Sequence, residues 1–354
     1  MKRWLSQYPL HGRCHCMAIL SHAFVDNFKK HFKVKIQSLS DEDIVFDLVG
    51  IDASIANAFR RILLAEVPTM AIEHVYLWNN SSIIQDEVLA HRLGLIPLQV
   101  DPREFQSFPG IEATILHIHY TYCHLSQHEE GEATDENTLV FKLDVTCTAD
   151  PNDPADISKA TNASVYSRHL EWVPQGLQEE RFGSIRPVSE DILIAKLRPG
   201  QTIALEAHCR KGVGKDHAKF SPVATASYRL LPEISFPTPV VGADAKTLQK
   251  NCPMNVFDIE DLAAVAARPR NCTMCRECIR APGWSDKVKL GRVSDHFIFS
   301  VETVGMLRPE DLLPEAIKVL VAKCDVAVES LNAVDDELRE EEDEEVDEDD
   351  DAME

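Results

Sequence analysis

The chain has 354 residues, more than one hydrophobic core usually supports, so two or three packed units are expected. With 44% apolar and 27% charged residues it has ordinary globular composition, neither collagen-like nor wholly disordered. Of the net charge of −22, residues 335–354 carry 15 acids and one base, leaving −8 for residues 1–334; an acidic body without a basic stripe argues against a dedicated nucleic-acid surface.

No apolar run reaches the eighteen or so residues that cross a bilayer, so no spanning helix is expected. Lys2, Arg3 and Arg13 precede the apolar run Cys16 to Leu20, which is too short for a secretory signal and is interrupted by His22. An intracellular protein off the membrane is the expectation. In a reducing compartment, grouped cysteines among the ten present suggest metal or cluster ligation rather than disulfides.

Val34 to Gln37 and Ile44 to Val49 are β-rich runs around the polar turn Ser38 to Asp43, the pattern of a hairpin. A helix follows, with Asp52 as N-cap and Pro68 biasing Val67 away from helical geometry. Ile55, Phe59, Ile62 and Leu63 share one face of it, whereas Arg60 and Arg61 project on either side of the opposite face, where they can grip a partner or be solvated. Ile72 to Trp78 reads as a strand, Asn79 to Ser82 as a turn, and Asp86 to Leu93 as a short helix closed by Gly94 and Pro97.

From about residue 85 to 220 the chain becomes a β-rich module. Leu139, Phe141, Leu143, Val145 and Cys147 alternate strictly, as do Ile203, Leu205, Ala207 and Cys209, marking two half-buried strands; Asp150 to Asn162 is a surface loop. Pro232, Pro237 and Pro239 mark the next boundary, before a cysteine-bearing stretch to about Leu290. The first texture then returns: a strand at His296 to Glu302, then a long helix starting near Pro314. Leu313, Ile317, Leu320, Cys324, Val328 and Leu331 form one apolar stripe on it, which needs either the chain's own sheet or a partner's helix to cover it.

The sharpest local pattern is Cys272-Thr-Met-Cys275-Arg-Glu-Cys278, with Cys252-Pro253 upstream. In two-cluster ferredoxins a C-x2-C-x2-C run supplies three thiolates to one cluster, and its fourth is a distant cysteine preceding proline. The partner motif would need cysteines at 242, 245 and 248, where the chain has Gly242, Ala245 and Leu248. Cys252, Cys272, Cys275 and Cys278 are therefore candidate ligands of a single iron–sulfur cluster, with a four-cysteine zinc site or an empty thiol group as alternatives.

Other patterns are weaker. Gly212-Val-Gly214-Lys215 lacks the Gly and the Ser or Thr of a phosphate loop, having Cys209 and Asp216 there. His117, His119, His124 and His128 could gather on a metal, but strand histidines are more often packed or solvated. Cys14-His15-Cys16 has no second ligand pair, and His128-Glu129-Glu130 lacks the second histidine of a zincin. No nucleophile elbow or paired-carboxylate signature points to catalysis. The acidic tail is expected to be a solvated, disordered end, with binding of basic partners such as histones as the other reading.

Phe24-Val25-Asp26-Asn27-Phe28, Val49 to Ala71 (including Ser54-Ile55-Ala56-Asn57-Ala58-Phe59-Arg60-Arg61), Gln85 to Leu98, Lys215-Asp216-His217-Ala218-Lys219-Phe220-Ser221-Pro222-Val223-Ala224 and His296 to Glu302 resemble, in order, the larger alpha-like subunit family shared by eukaryotic RNA polymerases I and III. The resemblance implies an α+β chain with a split dimerisation domain, made of a hairpin, helices, and a returning C-terminal strand and long helix. A β-rich insert domain and a small ferredoxin-like segment interrupt it. On that reading residues 1–23 are an N-terminal extension and 24–84 the first part of the dimerisation domain. Residues 85–220 are the insert, 221–231 the return, 232–292 the ferredoxin-like segment, 293–334 the second part, and 335–354 the disordered tail.

The resemblance further implies a noncatalytic nuclear assembly subunit, in nucleolus and nucleoplasm, that supports rRNA, tRNA and 5S rRNA transcription. Its partners would be the smaller alpha-like subunit as heterodimer, the second-largest subunits of polymerases I and III, and small zinc-bearing subunits, with DNA met only through the complex. Asn57, Phe59, Arg60, Arg61, Leu64, Ile317, Leu320, Cys324 and Val328 are the candidate partner contacts; arginine suits such an interface because its planar fork meets carboxylates bidentately. The cysteine stretch resembles the ferredoxin-like domain of the archaeal relative, where a cluster can be bound. A ferredoxin-type electron carrier is the rival reading.

Overall fold

The computed structural model describes residues 22–106, 133–151 and 160–351. Cys14-His15-Cys16, most of the N-terminal extension, His117 to His128 and the middle of the 150–162 loop lie outside them. The chain divides into two compact units. One takes the chain through Ser38, Val45–Asn57 and Tyr228–Phe299; the other takes Leu39–Ile44, Ala58–Ser227 and the chain from Ser300.

The elements are α+β. Helix α1 (His22–His31) leads into β1 (Lys33–Leu39) and β2 (Asp43–Val49), the expected hairpin, and then α2 (Ala53–Ala65). The Asp52 carboxylate accepts the Ser54 amide at 2.8 Å, meeting one of the orphan donors of the first turn of α2. Hydrogen bonds from Ser54 hold that carboxyl below its usual range. On α2, Ala56, Phe59, Ile62 and Leu63 are buried and Arg61 is exposed, so the apolar stripe faces inward as its periodicity requires.

β3 (Thr69–Asn80), α3 (Asp86–Gly94) and β4 (Leu98–Gln99) follow. Next come β5 (Leu139–Thr146), β6 (Ser164–Tyr166), β7 (Glu171–Val173), α4 (Gln178–Phe182), β8 (Arg186–Pro187), β9 (Leu193–Lys196) and β10 (Thr202–Gly212). Four of these strands form an antiparallel sheet in the order β3-β10-β5-β7. Its register sets Ile203 opposite Val145, Leu205 opposite Leu143, Ala207 opposite Phe141 and Cys209 opposite Leu139. The two alternating runs thus meet on one face, and all of these residues are buried in a single cluster with Leu89 and Leu93 of α3. Burial raises the thiol pKa of Cys147 and of Cys209, which makes both packing residues rather than nucleophiles.

β11 (Val223–Ser235), α5 (Ala243–Asn251), the pair β12 (Asp258–Glu260) and β13 (Ala263–Val265), and β14 (Lys289–Thr303) complete the strands, and β1-β2-β14-β11 form a second four-stranded sheet. Phe46 stacks on Phe299 at 5.2 Å between centroids, with Tyr228 against Phe297 and Phe299. Gly50, at φ 80°, turns the chain out of β2; a Cβ there would lie 2.6 Å from the His31 carbonyl oxygen.

The last helix, α6, runs Pro309–Asp351. It starts five residues before Pro314, with Pro309 in the first turn, where a missing N–H costs nothing. Its bounds extend to Asp351, and no glycine or proline follows Pro314 to end it.

Candidate functional site: an uncovered helix face and a cysteine loop

Two features stand apart from ordinary packing, one in each unit. The first is on α6. Leu312, Ala316 and Val319 are buried, which spends one stripe of the helix inside the chain. A second stripe remains in water: Ile317, Val321, Cys324, Val328 and Leu331, with Val328 55% and Leu331 67% exposed. Their spacing alternates four and three residues, the seam of a helix that supercoils against another. Leu320 is half-buried beside the seam. Val321 was missed in the sequence reading; the 3.5-residue repeat was the signal that could have found it. Lys323 sets the helix by donating to both carboxylate oxygens of Glu66, at 3.0 and 2.9 Å.

The candidate contacts on α2 divide. Phe59 is buried and belongs to the chain's own packing, Asn57, Arg60 and Leu64 are half-buried, and Arg61 is exposed.

The second feature is the cysteine loop. Cys252, at the end of α5, and Cys272, Cys275 and Cys278 line one small pocket with Pro253, Val256 and Phe257. Met274 and Arg276 both have left-handed backbone (φ 60° and 64°), and this winding brings the Met274 amide to 3.4 Å from the Cys272 Sγ, an N–H to sulfur hydrogen bond. Burial first, and then the neighbouring Cys272, Cys275 and Cys252, push the Cys278 thiol up to about 11. Ala245 and Leu248, where a second cluster's cysteines would stand, are buried in an apolar core with Val240, Val256, Phe257 and Val288. Apolar packing fills that slot.

Whether these thiols fit a metal can be judged on two grounds. The donor chemistry suits a soft metal: four thiols line one pocket, and an amide donates to one of them. Met254, Thr273, Arg276 and Leu290 complete the lining of that pocket. Among the described residues no group of three or more His, Cys, Asp or Glu is closed to ligating distance.

Sequence reasoning missed what holds this loop. Asp47 of β2 breaks the strand's alternation by being buried, and Arg270 Nη1 donates to both of its carboxylate oxygens at 2.8 Å. Gln37 Nε2 donates at 3.0 Å, and His296 Nε2 lies 3.2 Å away. Arg229 donates in turn to the carbonyls of Arg270 and Cys272. Nothing local marks Asp47, because its partner lies far along the chain.

Gly212 and Gly214 also find their role. A Cβ at Gly212 would meet the Phe220 ring at 2.6 Å, and one at Gly214 would overlap the Leu64 carbonyl. The Lys215 amide donates to Ala65 O at 2.8 Å, Thr69 Oγ1 donates to Phe220 O at 2.6 Å, and Lys219 Nζ donates to Ile72 O at 2.9 Å. These glycines permit close packing; they do not cradle a phosphate.

A chain that buries one stripe of its last helix and leaves a second, heptad-spaced stripe uncovered belongs to the class of proteins built to pair. Comparison with known proteins agrees. Residues 45–324 match the family described as the RNA polymerase Rpb3/Rpb11 dimerisation domain, and the chain belongs to that family. It is 48% identical over 314 residues to the DNA-directed RNA polymerases I and III subunit rpac1 of Dictyostelium discoideum, covering 87% of this chain and 84% of that one. It is 49% identical over 319 residues to the DNA-directed RNA polymerases I and III subunit RPAC1 of Homo sapiens, covering 87% of each. Against the DNA-directed RNA polymerase subunit Rpo3 of Methanosphaera stadtmanae the identity is 32% over 302 residues, covering 84% of this chain and 98% of that one. The electron-carrier reading finds no support in these similarities.

Proposed function

We propose that this chain is the larger alpha-like, noncatalytic assembly subunit of nuclear DNA-directed RNA polymerases I and III. It pairs through α6 with the smaller alpha-like subunit, and the pair then receives the second-largest subunit and small zinc-bearing subunits. Residues 24–84 and 293–334 act as the split dimerisation domain, around the insert at 85–220 and the cysteine segment at 232–292. The work is done in nucleolus and nucleoplasm, and DNA is met only through the complex. The observation that carries the reading is the uncovered heptad seam from Ile317 to Leu331 in a member of a dimerisation family. Five apolar side chains held in water are a standing cost that only a partner helix removes. Purifying the tagged chain from its own cells and identifying the co-purifying chains tests it: polymerase I and III subunits are expected together. A monomer free of them would overturn the reading.

The four cysteines would hold a structural metal site, a single iron–sulfur cluster or zinc, only on drawing closer together than they stand here. A four-thiol donor set suits zinc or a single iron–sulfur cluster, and the spacing of Cys272, Cys275 and Cys278 with Cys252-Pro253 upstream is that of a cluster-binding run. An ion there would tie Cys252 to the 272–278 loop and take no part in chemistry. Iron and zinc analysis of the purified chain should find bound metal, and Cys275→Ser should lower it while leaving heterodimer formation intact. Metal content unchanged after replacement of all four cysteines would reject the assignment.

A further inference from the structure

The sheet β3-β10-β5-β7 turns one face into its cluster; the composition of the other is not that of a merely solvated surface. The register sets Tyr76 opposite Glu206, Glu206 opposite Lys142, and Lys142 opposite Glu171, so one row crosses all four strands. Alongside it, Ala204 lies opposite Asp144. Trp78 is the extra residue of β3 at the irregularity between the pairs Asn79–Ala204 and Leu77–Leu205. Tyr76 is 52% and Trp78 64% exposed, two large aromatic rings two residues apart on one strand. Tyr76 meets the His208 ring edge-on at 4.8 Å, and Glu206 Oε1 lies 2.8 Å from His208 Nε2. Beside them a cleft of about 460 Å³ is lined by Asp135, Gln175, Glu206 and His208, with the Asp135 carboxylate pressed against Gly176.

The face therefore combines two exposed aromatics with four carboxylates, Asp135, Asp144, Glu171 and Glu206, which outnumber its two bases, Lys142 and, farther along the central strand, Arg210. We infer that it docks a basic, lysine- and arginine-rich segment of a partner protein. A cation over Tyr76 or Trp78 is attracted by the ring quadrupole, and its charge is met by the flanking carboxylates. Nucleic acid is disfavoured because the same carboxylates repel phosphate. A purely apolar partner would bury those carboxylates without a counter-charge. The inference stands independently of the polymerase reading.

The test uses the full chain and a fluorescein-labelled nonapeptide alternating arginine, lysine and alanine, read by anisotropy at several salt concentrations. The wild-type chain should bind it, and a matched glutamate–alanine peptide should not bind. Tyr76→Ala with Trp78→Ala should weaken binding at least tenfold. Asp144→Asn with Glu206→Gln, near-isosteric changes at partly exposed positions, should weaken it similarly and flatten its salt dependence. Thermal midpoints equal to wild type certify the fold of each variant. Equal peptide binding by wild type and both double variants, the outcome if residues 335–354 alone capture the peptide, would overturn the inference. So would self-association of the wild-type chain that Trp78→Ala abolishes, since the face would then belong to a second copy.

Discussion

Replacing Val328 and Leu331 together by aspartate separates a helix that completes its own fold from one made to receive a partner. Full burial of a Val or Leu side chain contributes about 1.5–3 kcal/mol. Val328 is 55% and Leu331 67% exposed in the chain by itself, so more than half of that stabilisation is still to be gained at each position. The pair then contributes about 2.5 kcal/mol to association, and desolvating two carboxylates adds at least a further ~1.5 kcal/mol of penalty. The sum, about 4 kcal/mol, corresponds to a loss of roughly 1,000-fold in heterodimer affinity. The isolated chain should barely notice, because exposed substitutions usually change stability by less than about 0.5 kcal/mol. Titration calorimetry against the purified smaller subunit, with a thermal melt of the chain alone, reads both quantities. A Kd within threefold of wild type would refute the reasoning, and so would a loss of affinity matched by an equal loss of monomer stability.

Three other outcomes follow from the packing. Gly214→Ala forces a Cβ onto the Leu64 carbonyl and should destabilise the chain by about 2–3 kcal/mol; a denaturation midpoint equal to wild type would contradict that contact. Asp47→Asn removes the charge that holds Arg270 and should loosen the cysteine loop. The expected cost is about 3 kcal/mol, at the lower end for breaking a buried pair because Arg270 is partly solvated; Cys272 and Cys275 should then label faster with a thiol reagent in the presence of a chelator, and unchanged labelling would count against the anchor. Arg61→Glu should weaken recovery of the second-largest subunit in a pull-down while sparing the heterodimer, and unaltered recovery would remove Arg61 from the interface.

Much of this architecture can be read directly from the residues, because local rules decide it. Strict alternation names the core faces of β5 and β10, and the register then places Leu205 against Leu143 as the pattern requires. The Asp52 cap and the spacing of Cys272, Cys275 and Cys278 are likewise local. The long apolar stripe of α6 is visible too, but periodicity cannot tell which of its residues the chain keeps for itself. Only burial separates Leu312, Ala316 and Val319, spent internally, from the seam that includes Val321 and Leu331.

What the tertiary structure alone decided has a common physical cause: the deciding partner is remote in the chain. Asp47 sits in a strand that predicts an outward side chain, yet it is buried because Arg270 arrives to meet its charge. Gly214 resembles part of a phosphate loop until the Leu64 carbonyl is found where its Cβ would be. Helix caps, strand faces and ligand spacing depend on neighbours a few residues away and are written in the sequence. Charge burial, close backbone approach and the choice of which apolar face stays uncovered depend on surfaces that folding brings together.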